Sequence, residues 1–515
     1  MKSLIKALNS LKGVMRVMRG KCLLRLLEHS DRRARTYHLS RIAACAVIGV
    51  SGLTLAGCAD LNEPDAQQAY DAALSSPLPT HWAASADAAA FQPEWLGFDS
   101  HGELRQLIDE AFEHNPDMRV AATRVEQARL QAELAGSTLW PTVNLGGKWS
   151  NSVISPDALS LSGVFATASW EVDVWGVARA GVKASEARYR SAEADYVYAR
   201  ASLGAAVAKA WLMNIEATRE LALLESIDVD TSRQRDIAAE RVKVGKSTAS
   251  ELAQSEARMQ AAHEQRIRAR QARESAQRSL ELLLGRYPSA QIEVRDTTTL
   301  FNRATLPPIP AGVPLGVLDR RPDVIAARNA FSAAFFGSQQ AKAARLPNVA
   351  LTAGTGYLDT RAAGLQDQLD KMIFPVGARI TWPLFDAGKR QTQYEIATVS
   401  QSEAAARYAQ TIQRAMGEVE NALAAERDFG TRAEALSTRR DALARTADLT
   451  GVQREVGQVD VDKELEARMD AARAQISVDQ ARMAALASRV DLHLALGGRF
   501  FDEGEESSPT PDAVH

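Results

Sequence analysis

The stretch SWEVDVWG, Ser169–Gly176, alternates apolar and polar side chains and carries a tryptophan near each end. Alternation with a period of two is the pattern of a β-strand, and tryptophan favours the interface between membrane and water. The chain then continues without a proline until Pro288. Every residue of this span therefore has the backbone N–H that a continuous helix requires. The sequence therefore predicts a membrane-type strand joined directly to a very long helix.

The alternation also assigns the two faces of this strand. We expect Trp170 and Val172 to face lipid, and Glu171 and Asp173 to face a water-filled lumen, with Trp175 at the aqueous boundary. Roughly ten residues suffice for a tilted strand to cross a bilayer. A soluble hairpin that packs one face on a core shows the same alternation and is the competing interpretation.

The junction belongs to an internal repeat. NPDMRVAATRV begins at Asn115 and RPDVIAARNAF at Arg321, and the offset of 206 from Pro116 to Pro322 recurs from Pro141 to Pro347. Further pairs are offset by 212 residues: Trp170 and Trp382, Gly176 and Gly388, Tyr196 and Tyr408, Gly245 and Gly457, Gly285 and Gly497. Conserved order at fixed offsets indicates one duplicated unit, which we place at 99–300 and 301–498.

Each repeat shows the same predicted order of elements. A short helix after Pro-Asp is followed by two strands, a long helix and a return helix, with strands expected at 143–149, 164–174, 349–353 and 376–384. The proline-free spans 177–244 and 389–456 hold 68 residues each, about 100 Å if helical. Gly245 and Gly457 are suited to end these helices in the left-handed conformation. Ser247 or Thr248 after the first glycine, and Asp460 after the second, are suited to cap the next helices.

Four strands per chain are too few to close a sheet in lipid, where an open edge leaves backbone groups unpaired. The chain must therefore complete its sheet with further copies of itself. Two copies would supply eight strands and three would supply twelve, and the strand pattern alone does not choose between them.

The N-terminus predicts export. A region rich in Lys and Arg precedes the short apolar run Ile42–Cys58, which ends in LAGC, as in a secretory signal peptide. LAGC resembles the bacterial lipobox, which implies cleavage after residue 57, with the start codon open among Met1, Met15 and Met18. Cys58 would then carry a diacylglycerol and an acyl chain, 58–98 would form a lipid-anchored segment, and the acidic stretch 499–515 would be a disordered tail.

Composition argues against several classes of function. A net charge of -3 with 24% charged residues does not suit a nucleic-acid binder. His114, His263 and His493 lack the spacing of metal ligands, and neither HExxH nor a phosphate-binding loop occurs. We therefore expect a protein that is not an enzyme and needs no cofactor or metal.

The motifs LAGC, NPD, SWEVDVWG, VLDRRPDV and YAQTIQRAMGEVENAL, with the two Val-Gly turns, resemble the TolC-like outer-membrane factors of bacterial efflux pumps. The resemblance covers nearly all of 99–498 and is strongest to the NodT-like lipoprotein branch that serves RND-type pumps. It implies an α+β membrane channel: a homotrimer with a twelve-stranded β-barrel in the outer membrane and a coiled-coil-like periplasmic α-barrel. The implied function is a passive duct for small molecules, joined by a periplasmic adaptor protein to an inner-membrane pump.

The resemblance also implies roles for particular residues. The adaptor would meet the hairpin tips, Val244, Gly245, Lys246, Val456, Gly457 and Gln458. The family places acids at the periplasmic constriction six and nine residues after the second tip glycine, where this chain has Lys463 and Glu466. We hypothesise that Glu251 and Arg454 form a latch that closes this gate, with two solvated surface charges as the alternative.

Two other functions compete with the efflux duct. A type I protein secretion duct would share the architecture, although LDRRPDV and the lipobox favour small-molecule efflux. A lipid-anchored periplasmic coiled-coil scaffold would share the helices but form no barrel, and it would be released into solution once its lipid is removed.

Overall fold

The computed structural model describes residues 59–65, 81–84, 102–150, 161–294, 314–360, 374–498 and 500, all within a unit that runs from Ala59 to His515. The predicted signal peptide, Cys58, most of 58–98 and all of the acidic tail except Phe500 lie outside the described residues. In the part of the chain that is described, no helix is both long enough and apolar enough to cross a membrane.

The described chain contains two successive sets of elements in the same order. The first set is α1 (Glu103–His114), α2 (Pro116–Ser137), β1 (Thr142–Ser150), β2 (Leu161–Val172), α3 (Val177–Lys243) and α4 (Ala249–Leu283). The second set is α5 (Pro314–Arg320), α6 (Pro322–Ala343), β3 (Asn348–Thr360), β4 (Val376–Thr381), α7 (Lys389–Glu455) and α8 (Val461–Ala495).

In three of the four pairs, the corresponding helices have equal lengths, which makes the sequence repeat a repeat of structure. The pair α2 and α6 has 22 residues each, α3 and α7 have 67 each, and α4 and α8 have 35 each. The long helices α3 and α7 end one residue before the predicted boundary. Each begins directly after a glycine with a φ of 84°, Gly176 or Gly388, a backbone conformation that glycine adopts without steric cost.

The four strands form one antiparallel sheet in the order β1-β2-β3-β4. The long central pair β2 and β3 joins the two repeats, from Leu161 opposite Thr360 to Val172 opposite Val349. Among the described residues β1 pairs only with β2, and β4 only with β3. This sheet consequently has two open edges, one contributed by each repeat.

The pairing register separates an apolar face from a polar face, because residues opposite each other point to the same side. Trp170 lies opposite Leu351, which lies opposite Ala378, whereas Glu171 lies opposite Ala350, which lies opposite Arg379. The apolar face is open, and its exposed members include Val143, Leu145, Val164, Val376 and Ile380. The predicted two-faced strand is therefore confirmed for Trp170, Glu171 and Val172.

Both second strands end earlier than predicted. The strand expected at 376–384 stops at Thr381, since Pro383 has no N–H to continue a ladder. The strand expected at 164–174 stops at Val172, because the following residues turn to begin α3. The hydrophobic core lies among the helices, where Trp211 and Phe336 are almost fully buried.

Candidate functional site

The first hairpin tip, between α3 and α4, is shaped by Gly245. Its φ is 71°, its N–H donates to the carbonyl oxygen of Val242 at 3.0 Å, and the Lys246 N–H donates to that of Arg241 at 2.8 Å. These two bonds form the Schellman arrangement that satisfies the last carbonyls of a helix. Val244 beside the glycine is 65% exposed.

The second tip, between α7 and α8, repeats this geometry. Gly457 has a φ of 75° and donates to the carbonyl oxygen of Arg454 at 3.0 Å, while Gln458 donates to that of Gln453 at 2.8 Å. Val456 is also 65% exposed. The predicted left-handed turns are thus confirmed, and each tip projects an uncovered valine.

The start of α4 holds Glu251 within its own turn. Thr248 Oγ1 accepts from the Glu251 N–H at 3.2 Å, and Glu251 Oε2 accepts from the Thr248 N–H at 3.1 Å, which makes a capping box. The Ser247 hydroxyl also donates to that carboxylate. Hydrogen bonds from Ser247 and the Thr248 backbone lower the pKa of Glu251. Of the two predicted candidates, Ser247 and Thr248, the structure assigns the cap to Thr248.

At the start of α8, the prediction that the Asp460 side chain caps the helix is wrong. Asp460 is the N-cap residue but makes no side-chain capping bond, and its carboxylate lies 3.4 Å from Arg241 of α3. Arg454 pairs with Glu464 at 3.2 Å within its own hairpin. The chain therefore does not bring Glu251 and Arg454 together, because each is satisfied by a nearer partner.

The two constriction residues lie on the first turns of α8. Lys463 Nζ is 3.9 Å from Glu466 Oε2, and Arg258 of α4 is 3.8 Å from Glu466 Oε1. Glu466 is therefore flanked by two cations within 4 Å. Two nearby positive charges partly cancel the field of a carboxylate.

Sequence reasoning missed the seam between the repeats, where α3 lies along α8. Four ion pairs among the described residues follow this seam: Lys209–Asp491 at 2.7 Å, Arg219–Asp479 at 3.0 Å, Arg468–Asp230 at 3.4 Å and Arg241–Asp462 at 2.5 Å. Their α3 members recur every ten or eleven residues, which is close to three helical turns and keeps them on one face. That spacing is visible in the sequence, but the partner helix is not.

The seam is driest at its second pair. The side chains of Arg219 and Asp479 are 18% and 3% exposed, and Gln475 also donates to Asp479 at 2.8 Å. Burial, followed by the charges of Glu220 and Asp479, raises the pKa of Glu216 to about 7.

Asp173 and Trp175 lie beyond the end of β2, which corrects their assignment to the strand. Asp173 accepts from the N–H groups of Ala178 at 3.1 Å and Arg179 at 2.9 Å, and so caps α3 instead of facing a lumen from the sheet. The Trp175 Nε1–H donates to the carbonyl oxygen of Pro347 at 2.7 Å. Trp175 thereby ties the first strand–helix junction to the second repeat.

The residue after Cys58 lies at the same junction. The Ala59 N–H donates to the carbonyl oxygen of Trp175 at 3.0 Å, and Lys183 Nζ donates to the carbonyl oxygen of Leu61 at 2.6 Å. The first described residues therefore run along the start of α3.

Catalytic and metal centres were not predicted from the sequence. Within the described residues, no group of three or more His, Cys, Asp or Glu side chains is placed to hold a metal ion. The features that remain are a two-faced sheet, long paired helices and two exposed tips.

Comparison with solved structures assigns the class of fold. The open state of the MtrE outer membrane channel of Neisseria gonorrhoeae superposes with a TM-score of 0.72 at 24% identity, over 86% of this chain and 98% of MtrE. The fold of this chain is thus the fold of the MtrE chain.

Sequence comparison assigns the family. A model of the outer membrane efflux protein family matches residues 107–286 and 314–498, one range in each repeat. The antibiotic efflux pump outer membrane protein ArpC of Pseudomonas putida is 27% identical over 485 residues, covering 88% of this chain and 96% of ArpC. The pyoverdine export outer membrane protein OpmQ of Pseudomonas aeruginosa is 26% identical over 477 residues, covering 90% of this chain and 96% of OpmQ.

The chain belongs to the outer membrane efflux protein family. It is an outer membrane component of an efflux system in a Gram-negative bacterium. The expected family and general function are therefore confirmed.

Proposed function

We propose that three copies of this chain form the outer membrane exit duct of a tripartite efflux pump. A periplasmic adaptor protein would join the duct to an inner-membrane RND-type pump, which supplies the energy. The duct itself conducts small molecules passively. The observation that carries the proposal is a mismatch between the repeats: apolar positions that are buried in one repeat are exposed at their counterparts in the other.

The sheet supports closure by further copies. Its edges β1 and β4 leave rows of backbone N–H and C=O groups without strand partners, and each such group costs several kcal/mol in hydrocarbon. Pairing β4 of one copy with β1 of the next satisfies both edges by the antiparallel pattern already present in the chain. Three copies then give a twelve-stranded barrel with its apolar face toward lipid.

The helices support the same arrangement. In the second repeat α6 packs against both α7 and α3, whereas α2 of the first repeat packs mainly along α3. Phe336 and Ala326 of α6 are 1% and 4% exposed, while their α2 counterparts at the offset of 206, Leu130 and Val120, are 50% and 48% exposed. The free face of α2 therefore lacks the helix that α6 has.

The missing helix has the properties of α7 of a neighbouring copy. Ile396 and Val399 of α7 are 61% and 69% exposed, whereas their α3 counterparts at the offset of 212, Ala184 and Ala187, are 1% and 0% exposed in the stretch of α3 that α6 covers. We therefore place α2 of one copy on α7 of the next. Burying such side chains contributes roughly 1.5–3 kcal/mol each.

The two tips are the proposed contact with the adaptor, through Val244–Lys246 and Val456–Gln458. Next to the first tip an open groove of about 740 Å³ lies between the end of α3 and the start of α8. Its lining is mostly charged and includes Asp236, Glu240, Arg241, Lys246 and Asp460. An exposed valine beside a charged groove offers an apolar anchor with polar contacts around it.

The gate is proposed at the tip end of the seam. Arg241 lies 2.5 Å from Asp462 and 3.4 Å from Asp460, so it holds the second hairpin to the first in place of the hypothesised Glu251–Arg454 latch. Three copies of Glu466 would form a carboxylate ring, which the adjoining Lys463 weakens as a cation filter.

Lipid attachment at Cys58 completes the proposal. Ala59, which is bonded to Cys58, lies at the strand–helix junction, where the apolar sheet gives way to polar helices. A thioether-linked diacylglycerol there would reach the membrane without an intervening linker, and each buried methylene would contribute about 0.8 kcal/mol. Mass spectrometry of the mature N-terminus tests this attachment.

Assembly is tested by the mass of the purified protein in detergent. We expect a trimer for the native chain and dissociation for Leu130→Glu and for Ile396→Glu, because either change buries a charge in the proposed interface. Val229→Glu is the matched control, since Val229 is 67% exposed and its counterpart Asp441 is exposed as well. Trimers that survive both interface substitutions would refute the arrangement.

Conduction is tested in planar bilayers and in cells. Arg241→Glu should raise the resting conductance, whereas Glu251→Lys should leave it unchanged. The reverse result would restore the Glu251–Arg454 latch. A deletion strain should accumulate small molecules from a compound panel, and the native gene should restore their efflux. Normal efflux together with loss of a secreted protein would instead indicate a type I secretion duct.

A further inference from the structure

Residues 81–84 lie against the helical core of the second repeat, far along the chain from the residues they contact. The Trp82 side chain is 4% exposed. It belongs to a cluster that includes Val317 of α5 and four residues of α7 and of the C-terminal end and cap of α8: Val419, Leu423, Leu492 and Leu496. A side chain this large and this buried contributes substantially to the packing around it.

In the first repeat the equivalent place is filled by α1. Leu104 of α1 is 1% exposed and packs in a cluster that contains Val207, Trp211, Leu280 and Leu284. These four residues precede the four partners of Trp82 by 212 positions each. The two apolar surfaces are therefore counterparts, and each is covered by a different segment of the chain.

The described part of α5 corresponds only to the end of α1. Ala111 of α1 and Val317 of α5 are both fully buried and correspond at the offset of 206. From Pro314 onward, α5 matches the last seven residues of α1, and position 310, the counterpart of Leu104, lies outside the described residues. Among the described residues, Trp82 covers the surface that the first half of α1 covers in the other repeat.

A carboxylate fixes the segment beside Trp82. The backbone N–H groups of Ala83 and Ala84 donate to the two carboxylate oxygens of Glu420 at 2.7 and 2.9 Å. Hydrogen bonds to a charged acceptor are roughly twice as strong as neutral ones. The counterpart of Glu420 in the first repeat is Ala208, which is fully buried and accepts nothing through its side chain. The carboxylate therefore occurs only where the segment docks.

We infer that the second repeat carries a peptide-docking notch and that residues 81–84 are its built-in ligand. The apolar cluster receives the Trp82 indole, and Glu420 recognises two consecutive backbone N–H groups. The chain after Cys58 is consequently held at two places, at the strand–helix junction through Ala59 and on the second repeat through Trp82. Residues 59–61 and 81–84 are therefore both anchored to helices of the described chain.

Hydrogen exchange of the purified full-length protein tests the notch. With Glu420→Ala we expect the amides of Ala83 and Ala84 to exchange at least about tenfold faster, because their acceptor is lost and local opening becomes easier. Glu434→Ala is the matched control, since Glu434 is an exposed carboxylate of the same helix. Glu420→Gln, which keeps one acceptor oxygen, should give an intermediate rate. Unchanged exchange at Ala83 and Ala84 in Glu420→Ala would overturn the inference.

A second variant tests the apolar half of the notch. Trp82→Ala should accelerate exchange in α5 and at the end of α8 while α1 of the first repeat stays protected, and Trp82→Phe should restore most of the protection. Equal loss in both repeats would mean general unfolding and would contradict a local docking role, as would full protection of α5 in Trp82→Ala. These exchange measurements require neither conduction nor oligomer formation. They therefore test the notch independently of the proposed duct.

Discussion

Arg321 offers the sharpest test of how the second repeat is held together. The residue is 1% exposed and donates through Nε and one Nη to Asp323 at 3.0 and 2.8 Å, to Glu418 at 2.6 Å and to the carbonyl oxygen of Ala495 at 3.0 Å. Burial alone would lower the pKa of Arg321, but the two carboxylates raise it above its ordinary value. Its guanidinium thereby joins α6, α7 and α8.

Asn115, the counterpart of Arg321 in the first repeat, binds the end of the equivalent helix with a neutral side chain. Asn115 donates to the carbonyl oxygen of Leu283 at 2.9 Å and accepts from the Asp117 N–H at 2.8 Å. Leu283 precedes Ala495 by 212 residues. The two repeats therefore close the same helix end, once with a charge and once without.

The expected losses in the free energy of unfolding differ because Arg321 is charged and Asn115 is neutral. Arg321→Met keeps much of the volume but leaves two carboxylates without their cation, which costs about 3–5 kcal/mol for a buried pair. Because the Glu418 side chain is 43% exposed and can recover water, we expect about 3 kcal/mol. Asn115→Ala removes one neutral hydrogen bond and one cap, about 1–2 kcal/mol together.

Denaturant unfolding of the purified protein in detergent, followed by circular dichroism at one fixed protein concentration, compares these variants. Glu418→Gln added to Arg321→Met should recover about 1 kcal/mol, because it removes one uncompensated charge. A cost below about 1 kcal/mol for Arg321→Met, or strict additivity in the double variant, would refute this account of the buried cation.

Three further outcomes follow from burial and space. The pKa of Glu216 is raised to about 7 from 4.5, so the contribution of its protonated carboxyl to stability is present below pH 4.5 and is lost as the pH rises through 7. After allowance for solvent exposure, the free energy of unfolding of Glu216→Gln should exceed that of the native chain by on the order of 1 kcal/mol at pH 8. A difference of equal size at pH 4 and pH 8 would contradict this. Arg219→Gln should lower the free energy of unfolding by about 3 kcal/mol and Lys209→Gln by less than about 1 kcal/mol, since only the first change breaks a buried ion pair. Equal unfolding midpoints for the two variants would contradict this prediction. Gly285→Ala should lower the melting temperature more than Gly245→Ala does, because a Cβ at Gly285 would lie 2.5 Å from the last carbonyl oxygen of α1 whereas at Gly245 nothing lies within 4 Å. Similar melting temperatures for the two variants would show that the backbone at Gly285 shifts freely.

Much of the fold was predictable because it depends on local rules. The absence of proline allows α3 and α7, and Gly245 and Gly457 end them at the predicted places, since a left-handed residue costs glycine nothing. The alternation around Trp170 also predicted the two faces of β2. Asp173 was misassigned because a carboxylate at a strand end serves equally well as a helix cap, and the alternation pattern does not distinguish the two roles.

Long-range partners were not predictable in this way. The Glu251–Arg454 hypothesis paired two charges by analogy, but the capping box engages Glu251 three residues from its cap, and Arg454 finds Glu464 across its own turn. The seam between α3 and α8 joins residues more than 200 positions apart. Charges at regular spacing indicate a charged face without indicating which helix lies against it.

By itself the sequence determined the duplication, the lengths of the helices, the tip turns and the alternation of the strands, because each depends on the backbone preferences of nearby residues. The tertiary structure alone decided which duplicated positions are buried and which stay open. Phe336 and Leu130 occupy equivalent places in the repeat, yet one is 1% exposed and the other 50% exposed. The reason is physical: burial depends on which helix packs against a face, and equivalent faces of the two repeats have different neighbours within one chain.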